Sequence, residues 1–133
     1  MYLSKLNSKQ KDLFLDVCLA MSKRDDDFCK KEEDLIRDLC SEMEISYRDQ
    51  ANCSLVDSIN ALAVSLNKEQ KKMVLLETTG VAMVDRVVAE KEKSVLVDMI
   101  KAFNLSLSDY DEVLKLVDGL YACYSSLAEY IKK

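Results

Sequence analysis

The chain has 133 residues, about half of them apolar, with no proline, no histidine, two glycines and a formal net charge of −5. That is enough to bury one core and too little for two independent domains, and the lack of proline with only two glycines argues against an all-β or α/β fold and for an all-α single domain over 1–133. Lysines are interspersed with acids rather than gathered on one face, so attraction to phosphate backbones is disfavoured and no nucleic-acid partner is expected.

The first helix starts at Asn7. Asn7-Ser8-Lys9-Gln10 has the form of a capping box, in which the Asn oxygen takes an orphan N–H and Gln10 reaches back to the cap. Leu6, Leu13, Phe14, Val17, Cys18 and Met21 form an apolar stripe at helical spacing, which ends in the charged run Lys23-Arg24-Asp25-Asp26-Asp27. Phe28 follows, then a second helix with Leu35, Ile36, Leu39, Cys40 and Met43 inward, returning antiparallel on the first because the connection is short. A third helix is predicted from about Arg48 to Leu66, with Leu55, Val56, Ile59, Leu62, Ala63 and Leu66 inward.

The chain then repeats itself. Residues 6–46 align without a gap on 66–106, with 10 of 41 pairs identical, among them Asn7/Asn67, Gln10/Gln70, Asp25/Asp85 and Glu32/Glu92. Average composition gives roughly two or three identities over such a span, so one helical hairpin is used twice. The fourth helix, Lys68 to about Val84, is apolar around most of its girth and is expected at the centre of the fold. Gly80 within it predicts a close helix crossing. The fifth helix, about Ala89 to Asn104, completes the second hairpin. Ser108-Asp109-Tyr110-Asp111 is read as the cap of a last helix, about Asp109 to Lys132. Its stripe is Val113, Leu114, Val117, Leu120, Tyr121, Tyr124, Leu127, Ala128 and Ile131, with Gly119 marking another close approach, and it is expected to close the open side of the paired hairpins. The whole is an all-α bundle of six to seven helices.

At both hairpin turns the order is Asp, a large apolar residue three places on, and Glu four places further: Asp25, Phe28, Glu32 and Asp85, Val88, Glu92. With the stripes and the duplication, this resembles the TerB-like family, small all-helical domains named for bacterial tellurite resistance. The resemblance covers nearly the whole chain and implies a pseudo-twofold bundle, cytoplasmic or at the inner membrane face, associated with stress response and with divalent-metal binding by the turn acids. The usual turn glycine is replaced here by Asp26 and Arg86. Asp25, Glu32, Asp85 and Glu92 would supply four oxygens to calcium or magnesium if the turns met. The structural alternative has Glu32 and Glu92 stabilising helix N-termini and Asp25 and Asp85 capping loose backbone groups. An EF-hand is excluded, since Lys30 stands where its glycine belongs and Ile36 where its glutamate belongs.

An enzyme is not expected: there is no histidine, no glycine-rich phosphate loop, and no Cys or Ser beside an evident base. Glu77 with the turn acids is the residual acid/base pairing, which exposure of Glu77 outside any pocket would remove. The five cysteines have no Cys-x-x-Cys pair and read as small buried hydrophobes in a reducing cytoplasm. No segment approaches the roughly 20 apolar residues of a membrane span, and no secretory signal opens the chain. The preferred function is a non-catalytic interaction domain, with Tyr110, Tyr121, Tyr124 and Tyr130 of the last helix offered to a protein partner or a second copy. Binding of a small apolar ligand between helices is the third reading.

Overall fold

The helix starts follow from local capping chemistry. Asn7 Oδ1 accepts from the Gln10 N–H at 2.8 Å and Gln10 Oε1 from the Asn7 N–H at 2.9 Å. Sixty residues on, Asn67 and Gln70 repeat the exchange at 2.8 and 3.0 Å. Each pair satisfies two orphan donors and fixes where a repeat begins.

The computed structural model describes residues 1–24, 30–84 and 88–133. Among them it is all-α: a 3-10 turn at Leu3–Lys5, then α1 (Ser8–Arg24), α2 (Lys30–Met43), α3 (Leu55–Ser65), α4 (Lys68–Ala82), α5 (Glu90–Ala102) and α6 (Leu107–Lys132). The duplication is visible in the backbone. The starts of α1 and α4, and of α2 and α5, are each sixty residues apart. Both hairpins end on a left-handed residue at matching positions, Glu44 (φ 59°) and Asn104 (φ 55°). Each is followed by the same reverse bond, from Ile45 N to the Cys40 carbonyl and from Leu105 N to the Ile100 carbonyl. These are Schellman-type closures, which satisfy otherwise orphaned carbonyls.

The most deeply buried element is α1, and α4, which packs against the 3-10 turn, α1, α2, α5 and α6, sits centrally as its apolar girth predicts. Residues 13–19 are buried without interruption, because α2, α3, α4 and α5 all pack on α1. The second copy contributes Val74, Leu75, Val95, Leu96, Met99 and Phe103 to the same core. In α4 the buried hydroxyls of Thr78 and Thr79 donate back to the carbonyls of Val74 and Leu75, both at 2.7 Å, so their polar atoms are satisfied inside the helix.

Three expectations are corrected. The third helix begins at Leu55, seven residues later than read, capped by Ser54, whose hydroxyl accepts from Asp57 N. Residues 45–54 form an irregular connection instead, held by Arg48, whose guanidinium reaches the carboxylate of Asp16 and the carbonyls of Asp12 and Gln50. The cap of α6 is Ser106, in a capping box with Asp109. Gly119 meets no close neighbour: a Cβ there would find nothing within 4 Å.

Candidate functional site

The recess that stands out lies where the N-terminal 3-10 turn, α2, α4 and α6 converge. It is a groove of about 460 Å³ lined by Leu35, Leu39, Leu76, Val81, Leu120 and Tyr121 among others, with Asp38, Glu42 and Glu77 on its walls and, among the described residues, no lysine or arginine side chain. The volume falls in the ordinary range for ligand sites, and the mixture of an apolar floor with a few charged groups is what such sites use.

Each wall has a local cause. On α2, Leu35, Asp38, Leu39 and Glu42 follow i, i+3, i+4, i+7 spacing, so one helix face presents both apolar and acidic groups. On α4, Glu77 and Gly80 are three residues apart. Tyr121 of α6 donates its hydroxyl to the Gly80 carbonyl at 2.6 Å and thereby pins α6 across α4. A Cβ on Gly80 would lie 3.8 Å from that hydroxyl, an ordinary contact. Burial raises the Tyr121 phenol above its usual range, and nearby Tyr124 and Glu77 add to it. The Tyr121 and Tyr124 rings meet edge to face at 6.3 Å.

The acids of the groove hold a cation. The α-ammonium of Met1 sits 2.8 Å from Glu42 Oε1 and 3.2 Å from Glu77 Oε1. Burial favours its neutral form, but hydrogen bonds and charge from Glu42 and Glu77 outweigh that and hold its pKa above the ordinary value. Glu42 also accepts from Leu3 N at 3.1 Å, which fastens the 3-10 turn to α2.

The sequence-predicted residues are distributed as follows. Glu32 and Glu92 stand in the first turns of α2 and α5 at equivalent positions, and both are buried. Asp25, Asp85, Phe28 and the turn substitutions Asp26 and Arg86 lie outside the described residues. Among the described residues, no three Cys, Asp or Glu side chains converge in a way that could hold a metal ion. Tyr121 and Tyr124 line the groove, Tyr130 is exposed further along α6, and Tyr110 is buried in the core and offers no surface. Glu77 faces the groove rather than open solvent; its neighbours there are Glu42 and Asp38, not Glu32 or Glu92. Asp38 and Glu42 had no sequence signal beyond the acidic edge of the α2 stripe, since the groove is assembled from segments far apart in the chain. Among the described residues, no helix is long and apolar enough to cross a membrane.

No family model, curated protein or solved structure matches the chain.

Proposed function

We propose that this chain is a non-catalytic, TerB-like protein-interaction domain whose groove between α2, α4 and α6 receives an apolar segment of a partner that carries a lysine or arginine. The observation that carries the reading is the set of three carboxylates, Asp38, Glu42 and Glu77, on the wall of a groove with an apolar floor. A helical segment laid in such a groove anchors by its apolar side chains, and the acidic wall selects the sign of the flanking charge.

The test is fluorescence anisotropy with a labelled amphipathic peptide of leucine and lysine, against the same peptide with glutamate for lysine. The lysine peptide binds and weakens with added salt, the glutamate peptide does not, and Glu42→Gln with Glu77→Gln weakens binding by roughly tenfold or more. Equal binding of both peptides, or of neither, rejects the reading. A neutral apolar dye that binds while both peptides fail supports the small-ligand alternative instead.

A second reading, divalent-cation binding at the hairpin turns, is favoured by one observation: two buried carboxylates, Glu32 and Glu92, at equivalent helix starts. Calcium or magnesium at millimolar concentration then raises the melting temperature, and Glu32→Gln with Glu92→Gln abolishes the rise. An unchanged melting temperature leaves both acids as helix-start stabilisers.

A further inference from the structure

Among the described residues, nothing covers the outer half of α6. The helix has 26 residues, a length of roughly 39 Å at 1.5 Å per residue, yet every residue from 122 onward is exposed. This half is not polar. Val113, Val117, Leu120, Tyr124, Leu127 and Ile131 follow a strict 4-3-4-3-4 spacing, the a/d rhythm of a coiled-coil seam. The fold consumes the start of that seam: Val117 is buried and Val113 half-buried. It leaves the end open, with Tyr124 51%, Leu127 53% and Ile131 80% exposed, and Tyr130 beside them 73%. The face opposite carries Asp118, Ser125, Ser126, Glu129, Lys132 and Lys133.

We propose that this open seam pairs with the same seam of a second copy, antiparallel about a twofold axis, with Leu120 against Ile131 and Tyr124 against Leu127 of the second copy. In an antiparallel seam, a positions lie level with d positions, so the three open positions and the half-buried Leu120 can satisfy one another in reversed order. This register uses all four and leaves none over. A shift of seven residues one way sets Ile131 against Val113, which the chain's own fold already covers. A shift the other way sets Ile131 against Leu127 and gives Leu120 and Tyr124 no counterpart among the six stripe residues.

The flanking positions agree. Tyr130 falls near Cys123 of the second copy and Tyr121 near Ala128, large residue beside small on both sides. The self-complementary patch is what a closed twofold dimer requires.

The area fits a weak dimer. Exposures of this size on side chains of roughly 150–250 Å² leave about 500 Å² of apolar surface per copy, well within the range that marks contact surfaces. Two such faces bury roughly 1,000 Å², the size of a weak, reversible interface, which predicts a dimer of micromolar rather than nanomolar strength. A membrane surface fits less well, because the polar face mixes acids with lysines and the chain is net negative. The seam shares Leu120, Tyr121 and Tyr124 with the groove wall but does not use Glu42 or Glu77, so Glu42→Gln with Glu77→Gln leaves self-association unchanged while it tests the groove reading.

Sedimentation equilibrium of the full chain across the micromolar range tests it. The expected result is a reversible dimer of twice 15.1 kDa. Leu127→Glu with Ile131→Glu, both on exposed positions, sediments as monomer with unchanged helical circular dichroism, a weakening on the order of 100-fold. Orientation is read from two further variants: Tyr124→Glu and Leu127→Lys each impair self-association, and mixing them restores a heterodimer, because the register sets these two positions in one layer. Labelling of exposed Cys123 slows as concentration rises, whereas exposed Cys53, in the connection before α3, does not change. A wild-type chain that stays monomeric, a dimer indifferent to the Leu127 and Ile131 substitutions, a mixture that does not reassociate, or a monomer that uses this stripe to bind phosphatidylglycerol vesicles each overturns the proposal.

Discussion

Replacing Asp16 by alanine removes the anchor that holds the connection between the two repeats. Asp16 is 2% exposed on α1, and one carboxylate oxygen takes both the Arg48 guanidinium and the Asn52 N–H, the latter at 2.9 Å. The substitution strands two donors. Hydrogen bonds to a charged partner are worth roughly 1.5–3 kcal/mol each, and breaking a buried ion pair costs about 3–5 kcal/mol. Arg48 keeps 24% of its side chain in solvent and also retains the carbonyls of Asp12 and Gln50, so part of that loss is recovered. A net cost of about 3 kcal/mol follows, and at roughly 3 °C per kcal/mol for a chain of this length the melting temperature falls by about 10 °C. Thermal melts by far-ultraviolet circular dichroism measure it. Asp16→Asn keeps an acceptor for Asn52 but not the charge, and loses about half as much. A double-mutant cycle with Arg48→Met shows strong coupling between the two sites. If Asp16→Ala melts within a degree or two of the wild type, the connection is not held by this pair and the account of residues 45–54 is wrong.

Two further predictions concern α6. Asp109 has its pKa lowered by the hydrogen bond from the Ser106 backbone N–H and then by the Ser106 hydroxyl. A carboxylate depressed in the folded state adds stability that is complete above the ordinary value of 3.8 and disappears as pH falls through the lowered one. The stability lost in that acid range is therefore smaller in Asp109→Asn, and equal acid profiles in urea titrations of both proteins contradict it. Gly119→Ala fills open space in mid-helix and raises stability by about 0.5–1 kcal/mol, or roughly 2–3 °C, whereas a drop reveals a close neighbour that the geometry does not show.

Much of the architecture could be read from residue order, because the forces that produce it are local. Capping pairs such as Asn7–Gln10 and Asn67–Gln70 act across three residues, and apolar stripes act across one helix face, so helix type, the duplicated hairpins and most of the core follow from short-range pattern. Where a tertiary contact competed with that pattern, the reading failed. Residues 48–54 have no strong helix breaker, yet Arg48 gains more from the buried Asp16 than from a further helical turn. Gly119 looked like a crossing point although the space beside it depends on where α6 leaves the body. The stripe along α6 was legible, but not the fact that the fold uses only its first half.

The candidate site was hidden for the same reason. Asp38 and Glu42 lie in the first hairpin and Glu77 in the second, and only the packing of α2 against α4, with α6 pinned across by Tyr121 on the Gly80 carbonyl, turns the three acids into the wall of one groove. The amino-acid order alone decided that the chain is helical, duplicated and acidic, since these are sums of nearest-neighbour preferences. The tertiary structure decided which apolar faces are spent inside and which remain for something else, because burial is a property of the assembled surface and not of any single helix.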